Sequence, residues 1–185
     1  SIAAIQCRVD AIQRQIDAIP GWKIGAFGTV GASISGADNW YSKGTPNQSA
    51  GNIGINFNGF ANLDREKFFW KNKTNINLGW VKLDDKDDPN DNDNFESSTD
   101  IFTLTSLYGY KLSKQFAASA LGEYRTSIID NFNNPGYLDL GIGATWTPIE
   151  NLVVVIHPLN YNIVISAEGD ICDSSLGTKI VADYI

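Results

Sequence analysis

From Trp22 to the end of the chain, apolar and polar residues alternate with a period of two. The pattern is clearest over residues 51–63, where apolar side chains occupy the odd positions and asparagine recurs at the even ones. Successive side chains of a β-strand point to opposite faces, so the alternation predicts strands with one apolar and one polar face. Eight runs show it, at about 22–35, 51–63, 68–82, 100–110, 116–128, 137–147, 152–165 and 176–185.

The connections between these runs alternate in length. Long connections lie at about 36–50, 84–99 and 167–175, short ones at 64–67, 111–115 and 147–151, and a further one at 129–136. Strands of about eleven or more residues joined in this way are typical of an up-and-down barrel in a bacterial outer membrane. We therefore expect an all-β fold, an antiparallel up-and-down transmembrane β-barrel over residues 21–185.

Alternation alone does not decide whether the apolar face points inward or outward. A soluble eight-stranded barrel that binds a ligand has the same period with its apolar face inside, and it is the alternative. Aromatic residues near both strand ends favour the outward direction, because such rings anchor a barrel at the two membrane interfaces. The expected short-turn girdle is Trp22, Phe68, Trp70, Tyr108, Tyr110, Phe116 and Trp146, and the expected long-loop girdle is Trp80, Phe102, Tyr124, Tyr137 and Tyr161.

Composition excludes two other classes of protein. No run approaches the ~18 consecutive apolar residues of a membrane-spanning helix, and the mean hydropathy is -0.17. The formal net charge of -7 argues against a nucleic-acid partner, since phosphate binding needs clustered lysine and arginine. Residues 84–100 hold eight carboxylates and one lysine. The net charge of this segment therefore equals the net charge of the whole chain.

Residues 1–20 have a different period. Isoleucine and valine recur at spacings of three and four between Ile2 and Ile19, which predicts an amphipathic helix that ends at Pro20 and Gly21. This helix either docks on its own chain or associates with other copies through residues 2–19. The sequence begins at Ser1 without a basic segment followed by an apolar one, so we expect that any targeting signal has been removed and that the helix is periplasmic.

Several scattered motifs resemble one family. They are Gly21-Trp22-Lys23-Ile24-Gly25-Ala26-Phe27-Gly28, Asn39-Trp40, Thr99-Asp100, Ser106-Leu107-Tyr108-Gly109-Tyr110-Lys111, Glu123-Tyr124-Arg125-Thr126 and Pro158-Leu159-Asn160. Over about residues 21–185 the chain is similar to Bacteroidota outer-membrane β-barrel proteins known only as a domain of unknown function. The resemblance implies a location and no activity. Its members continue for further strands, so either the barrel closes at eight strands or the chain is part of a larger one.

The acidic connection is the candidate metal site. Counted from Asp85, oxygen-bearing side chains occupy positions 1, 3, 7, 9 and 12 of a calcium-binding loop, as Asp85, Asp87, Asp91, Asp93 and Glu96. Pro89 and Asn90 depart from that pattern at positions 5 and 6. The connection is therefore either a calcium site or a solvated acidic loop.

No residue pattern predicts catalysis. His157 is the only histidine, and it lies in an apolar strand with no serine or aspartate beside it in sequence, so we expect a structural role. Cys7 and Cys172 form neither a metal-binding spacing nor a disulfide framework. The charged residues expected inside the barrel are Lys71, Lys73, Glu123, Arg125, Asp139, Lys179 and Asp183, and we expect them to pair with one another.

Together these features predict an outer-membrane barrel with a structural, scaffolding or accessory role in the bacterial envelope. A porin-like channel is the first alternative, and a barrel enzyme acting on lipid or peptide is the second, which needs a partner for His157 at the rim. The expected partners are outer-membrane lipid and other outer-membrane proteins, with no nucleic acid. We expect no enzymatic activity and, calcium aside, no cofactor.

Overall fold

A computed structural model describes residues 21–39, 47–88, 94–149, 152–166 and 174–184, together with residues 5, 6, 8, 9 and 12. In this part of the chain eight strands form one antiparallel sheet in sequence order. The strands are β1 (Trp22–Ala37), β2 (Gln48–Asp64), β3 (Phe68–Asp85), β4 (Glu96–Lys111), β5 (Phe116–Thr126), β6 (Gly136–Ile149), β7 (Leu152–Ile165) and β8 (Ser175–Tyr184). The predicted all-β, up-and-down order is confirmed.

The N-terminal segment is not one of the elements that the structure delimits. Five positions there (5, 6, 8, 9 and 12) have helical backbone, and the rest of residues 1–20 lies outside the described residues. The expected amphipathic helix is therefore not supported. Among the described residues, no helix has the length and apolar character needed to cross a membrane.

The sheet curls around one of its two faces. Side chains from β2, β3, β4, β5, β7 and β8 line a single cavity of about 380 Å³. We call the face that lines this cavity the inner face and the opposite one the outer face. The buried core lies on the inner face, where Phe69, Leu121 and Val155 are each less than a tenth exposed.

The outer face is apolar and exposed. Its pairing follows the predicted parity, because Ile55 and Phe57 of β2 lie opposite Leu78 and Ile76 of β3. Large apolar side chains stay exposed along the whole sheet, including Ile24, Val30, Trp70, Leu104, Leu140, Ile142, Ile156, Leu159, Leu176 and Ile180. The inner positions of the same strands carry asparagine, threonine and charged residues.

Rings on the outer face contact one another at both ends of the strands. At the short-turn end, the ring centroids of Trp22 and Trp70 are 5.5 Å apart and those of Phe116 and Trp146 are 6.0 Å apart. At the long-loop end, Phe102 and Tyr124 are 6.4 Å apart. The expected position of Tyr137 in the outer girdle is wrong, because the residue pairs with Arg125 on the inner face and its ring lies 5.8 Å from that guanidinium.

A bulge in β7 changes the alternation at Pro158. Pairing of β7 with β8 shifts register between His157 and Asn160, and the facing strand β6 shifts between Ile142 and Ala144. Gly143 lies opposite the bulge, where an added Cβ would be 2.1 Å from the Ile156 carbonyl oxygen. Proline donates no backbone hydrogen bond, so it is tolerated inside a sheet at such a bulge. As a result His157 and Asn160, three positions apart, both point to the inner face.

The outermost strands have one described neighbour each. Strand β1 pairs with β2 and β8 pairs with β7, and no pairing joins β1 to β8 within the described residues. Closure of the sheet into a barrel is therefore not shown.

Asp100 anchors the connection between β5 and β6. It lies two residues beyond the last pair of β4 and β5, Phe102 with Thr126, and its carboxylate accepts hydrogen bonds of 2.8, 2.8 and 3.0 Å from the backbone of residues 128, 129 and 130. These three donors satisfy the Asp100 carboxylate and tie the connection to β4.

We expect Asp100→Ala to release this anchor, because the backbone N–H groups of residues 128, 129 and 130 lose their acceptor. Backbone hydrogen-exchange protection of residues 128–130, corrected for intrinsic rates, should fall about fivefold relative to the unchanged protein. Equal protection in both proteins would contradict the anchor.

Candidate functional site: a polar cluster on the inner face

Four charged side chains from three strands form a network on the inner face. The Lys179 ammonium lies 3.1 Å from the Glu123 carboxylate and 3.4 Å from Asp139. Arg125 extends the network, with contacts of 3.5 Å to Glu123 and 3.7 Å to Asp139. Register explains the meeting, because Glu123 of β5 lies directly opposite Asp139 of β6. The charges balance as two cations and two carboxylates.

Asp139 is the centre of this network. Its side chain is only 10% exposed, and Asn162 donates a hydrogen bond of 2.7 Å to its Oδ1 atom. The Asn160 amide reaches the same oxygen at 3.5 Å. Because the two lysine and arginine contacts use Oδ2, both carboxylate oxygens have partners. A buried carboxylate needs this compensation to stay ionised.

A second chain of hydrogen bonds joins Thr145, Ser119 and His157. Thr145 Oγ1 donates to Ser119 Oγ at 2.9 Å, and Ser119 Oγ lies 2.9 Å from His157 Nε2. The Ser119 hydroxyl therefore joins the two other side chains, and the tautomer of the imidazole decides whether Ser119 or His157 is the donor in their hydrogen bond. His157 is 0% exposed.

Two buried polar atoms of this region have no hydrogen-bond partner among the described residues. They are His157 Nδ1 and Asn160 Oδ1. Both point to Gly141, where an added Cβ would lie 2.8 Å from each atom. Glycine at position 141 therefore leaves the space into which these two groups project.

The serine and histidine are a nucleophile and a base at hydrogen-bond distance, which is the first requirement of a hydrolase. Sequence analysis expected no partner for His157, and that interpretation missed Ser119. The contact is, however, at a fully buried histidine in the middle of the sheet, whereas an enzyme acting on lipid or peptide needs the pair at the rim. The arrangement fits a structural hydrogen-bond chain that satisfies buried polar groups.

We expect Ser119→Ala to destabilise the protein by about 1 to 3 kcal/mol, because it leaves His157 Nε2 and the Thr145 hydroxyl buried without partners. Urea unfolding followed by tryptophan fluorescence measures the change. Ser106→Ala is a control, since Ser106 accepts from Trp70 Nε1 and donates to Asn72 Oδ1 in a similar chain at a more exposed position, and it should cost less. A loss no larger than that of Ser106→Ala would show that the buried chain contributes little.

The remaining predicted interior charges are not in the network. Lys71, Lys73 and Asp183 share the inner face, as expected, but no ion pair of theirs is found in the described parts of the chain. The expectation of a single network for all seven charges is therefore only partly right.

The acidic connection is only partly described. Asp91 and Asp93 of the predicted calcium site lie outside the described residues. Of the others, Asp87 accepts hydrogen bonds of 3.0 and 3.1 Å from the Asn47 amide, and Asp85 accepts one from the backbone of residue 87. The described residues contain no cluster of three metal-ligating side chains. The predicted site stays a prediction.

Residues 33–132 match a family model described as "Protein of unknown function (DUF3078)". No curated protein and no solved structure matches the chain.

Proposed function

The chain belongs to the family described as "Protein of unknown function (DUF3078)", and we propose that it is an outer-membrane β-barrel with a structural, scaffolding or accessory role in the bacterial envelope. One observation carries the proposal: the outer face exposes large apolar side chains along the whole sheet, while the inner face encloses a network of paired charges.

A lipid environment around the outer face accounts for the exposed apolar side chains. Water-soluble proteins rarely expose apolar patches of more than a few hundred Å², because burying apolar surface is the main favourable term in folding. Isoleucines at positions 24, 156 and 180 are exposed at 76%, 40% and 67% on strands spread across the sheet. A soluble ligand-binding barrel would place such residues inside. If lipid hydrocarbon covers the outer face, its apolar side chains are not exposed to water, and the charged residues inside are paired with one another.

Closure is part of the proposal. In a bilayer an open strand edge leaves backbone N–H and C=O groups without partners, at several kcal/mol each. We infer that β1 and β8 are paired in the membrane, either with each other in an eight-stranded barrel or with further strands in a larger one.

Orientation follows from the turns. Strand β1 begins and β8 ends at the same end of the sheet as the short connections 65–67 and 112–115. Outer-membrane barrels keep their short turns in the periplasm. We therefore propose a Gram-negative outer-membrane location, in a member of the Bacteroidota, with residues 1–20 periplasmic and the acidic connection outside.

A structural role is favoured over a porin-like channel. The interior of an eight-stranded barrel is just wide enough to be filled by side chains or to hold one small ligand, and the Glu123, Arg125, Asp139 and Lys179 network fills part of it, which favours a filled barrel over an open aqueous channel. The proposed role is also not enzymatic. Partners under this proposal are outer-membrane lipid, other outer-membrane proteins and, through residues 2–19, further copies of the chain. Absence of single-channel conductance in planar bilayers is expected, and steady conductance would favour the channel.

Tryptophan fluorescence in brominated lipid tests the location. Trp22, Trp70, Trp80 and Trp146 lie on the outer face at the ends of the strands. After reconstitution, phospholipids brominated on their acyl chains should quench most of the emission relative to unbrominated lipid. Emission that stays unchanged, with the protein remaining in the aqueous phase, would contradict the membrane location.

A further inference from the structure

The inner cavity has an apolar wall that the charged network does not use. It lies in the half of the sheet nearest the short turns, and its volume of about 380 Å³ falls in the range of small-molecule sites. Leu107, Leu121, Val153, Val155 and Val181 form a continuous aliphatic lining from β4, β5, β7 and β8.

Two cations face this lining. Lys71 and Lys73 occupy successive inner positions of β3, and in the described parts of the chain neither makes an ion pair or a hydrogen bond. The Lys71 ammonium instead lies 5.6 Å from the centroid of the Phe69 ring. Long cationic side chains without carboxylate partners in a partly enclosed cavity favour an anionic group beside them.

The carboxylates of the cavity do not cancel these cations. Glu123 is already held by Lys179 at 3.1 Å and by Arg125 at 3.5 Å. Asp183, on β8, is the other acidic residue of the lining. Once Glu123 is counted with the network, Lys71, Lys73 and Asp183 remain in the lining, and together they carry one net positive charge.

Next to Lys73 the inner face becomes polar. Asn58, Asn75, Thr103 and Thr105 line a smaller adjoining cavity together with Lys73, which is exposed, and Asn75 donates a hydrogen bond of 2.8 Å to Asn58. Hydroxyl and amide groups at this end can bind carboxylate oxygens, while the opposite wall is mainly aliphatic.

We propose that this cavity binds an acyl-chain carboxylate, with the carboxylate at Lys71 and Lys73 and the chain along the valine and leucine wall. A small inorganic anion would leave the aliphatic wall unused. A neutral amphiphile would leave both ammonium groups without a counter-charge. The inference concerns the inner face and does not depend on what covers the outer face.

Protection of the lysines from acetylation tests the site. The full chain in a maltoside detergent is treated with a water-soluble acetylating ester, and modification is followed at each lysine by mass spectrometry. Millimolar octanoate should slow acetylation of Lys71 and Lys73 at least fivefold and leave Lys67, in an exposed turn, unchanged. Acetate supplies the carboxylate without the long chain, and 1-octanol supplies the chain without the carboxylate. At the same concentration each should protect weakly or not at all.

Variants separate the site from general effects. Lys73→Gln should raise the octanoate concentration that half-protects Lys71 at least fivefold, and Lys67→Gln should leave it unchanged. Equal protection by acetate would reduce the cavity to a simple anion site and overturn the proposal. Equal protection of Lys67, or none at Lys71 and Lys73, would also overturn it. These outcomes are read on lysines alone, so they are distinct from failure of the membrane location.

Discussion

Replacing Asp139 by alanine is expected to lower the free energy of unfolding by about 3 to 5 kcal/mol, the usual cost of removing one partner from a buried ion pair. Lys179 and Arg125 would lose their shared carboxylate, and Asn162 would lose the oxygen it reaches at 2.7 Å. Urea unfolding in detergent, followed by tryptophan fluorescence, measures the loss.

Asp183→Ala is the matched control for this variant. Asp183 is a carboxylate on the same inner face, on the neighbouring strand to His157, and it is not part of the network. Its removal should cost less than about 1 kcal/mol. If the two variants unfold alike, the network around Asp139 is not what stabilises the inner face.

Replacing Ile76 by arginine should destabilise the protein in lipid by about 2 to 4 kcal/mol, as for a charge at the midplane of a transmembrane barrel. Ile76 lies at the middle of β3 on the outer face, with Trp70 and Trp80 on either side of it along that face. Arginine at this position is therefore within the apolar band between the two tryptophans. Equilibrium unfolding from phospholipid vesicles measures the effect.

Asn77→Arg is the control, because position 77 belongs to the same strand and points to the inner face, opposite Asn56. It should cost clearly less than Ile76→Arg. A soluble sheet would tolerate arginine at a partly exposed position 76 within about 0.5 kcal/mol. That result in lipid would contradict a hydrocarbon environment for the outer face.

The strands and their faces could be predicted because both depend on local sequence. Period two places Ile55 and Asn56 on opposite faces wherever the strand lies in the sheet, and β3 and β7 begin at the predicted residues. Each strand then pairs with the next one in sequence, because every connection, short or long, joins two neighbouring strands. The interior placement of Glu123, Arg125, Asp139 and Lys179 follows from the same parity.

The contact of His157 with Ser119 could not be predicted from parity. These residues are 38 positions apart, and their meeting depends on the register of three strands and on the bulge. A strict period of two would also separate His157 from Asn160. Pro158 inside the strand was the available signal, since proline in a sheet marks an edge or a bulge.

The predictions failed where residue type was given more weight than position in the strand. Tyr137 was expected in the aromatic girdle from its place near a strand end, but its odd position in β6 puts it on the inner face beside Arg125. Lys71 and Lys73 were expected to join the charged network. They lie on the same face, but β4 separates β3 from Glu123 on β5.

A nitroxide scan of β3 tests most directly whether the outer face of the sheet contacts lipid. Single labels at positions 70 to 78, introduced after replacement of Cys7 and Cys172, are compared in lipid for collision with oxygen and with a water-soluble nickel complex. Even positions should be reached by oxygen and odd positions by nickel or by neither, with oxygen collision highest near Ile76. Nickel access at even positions 74, 76 and 78, with oxygen excluded there, would contradict a lipid-facing outer surface.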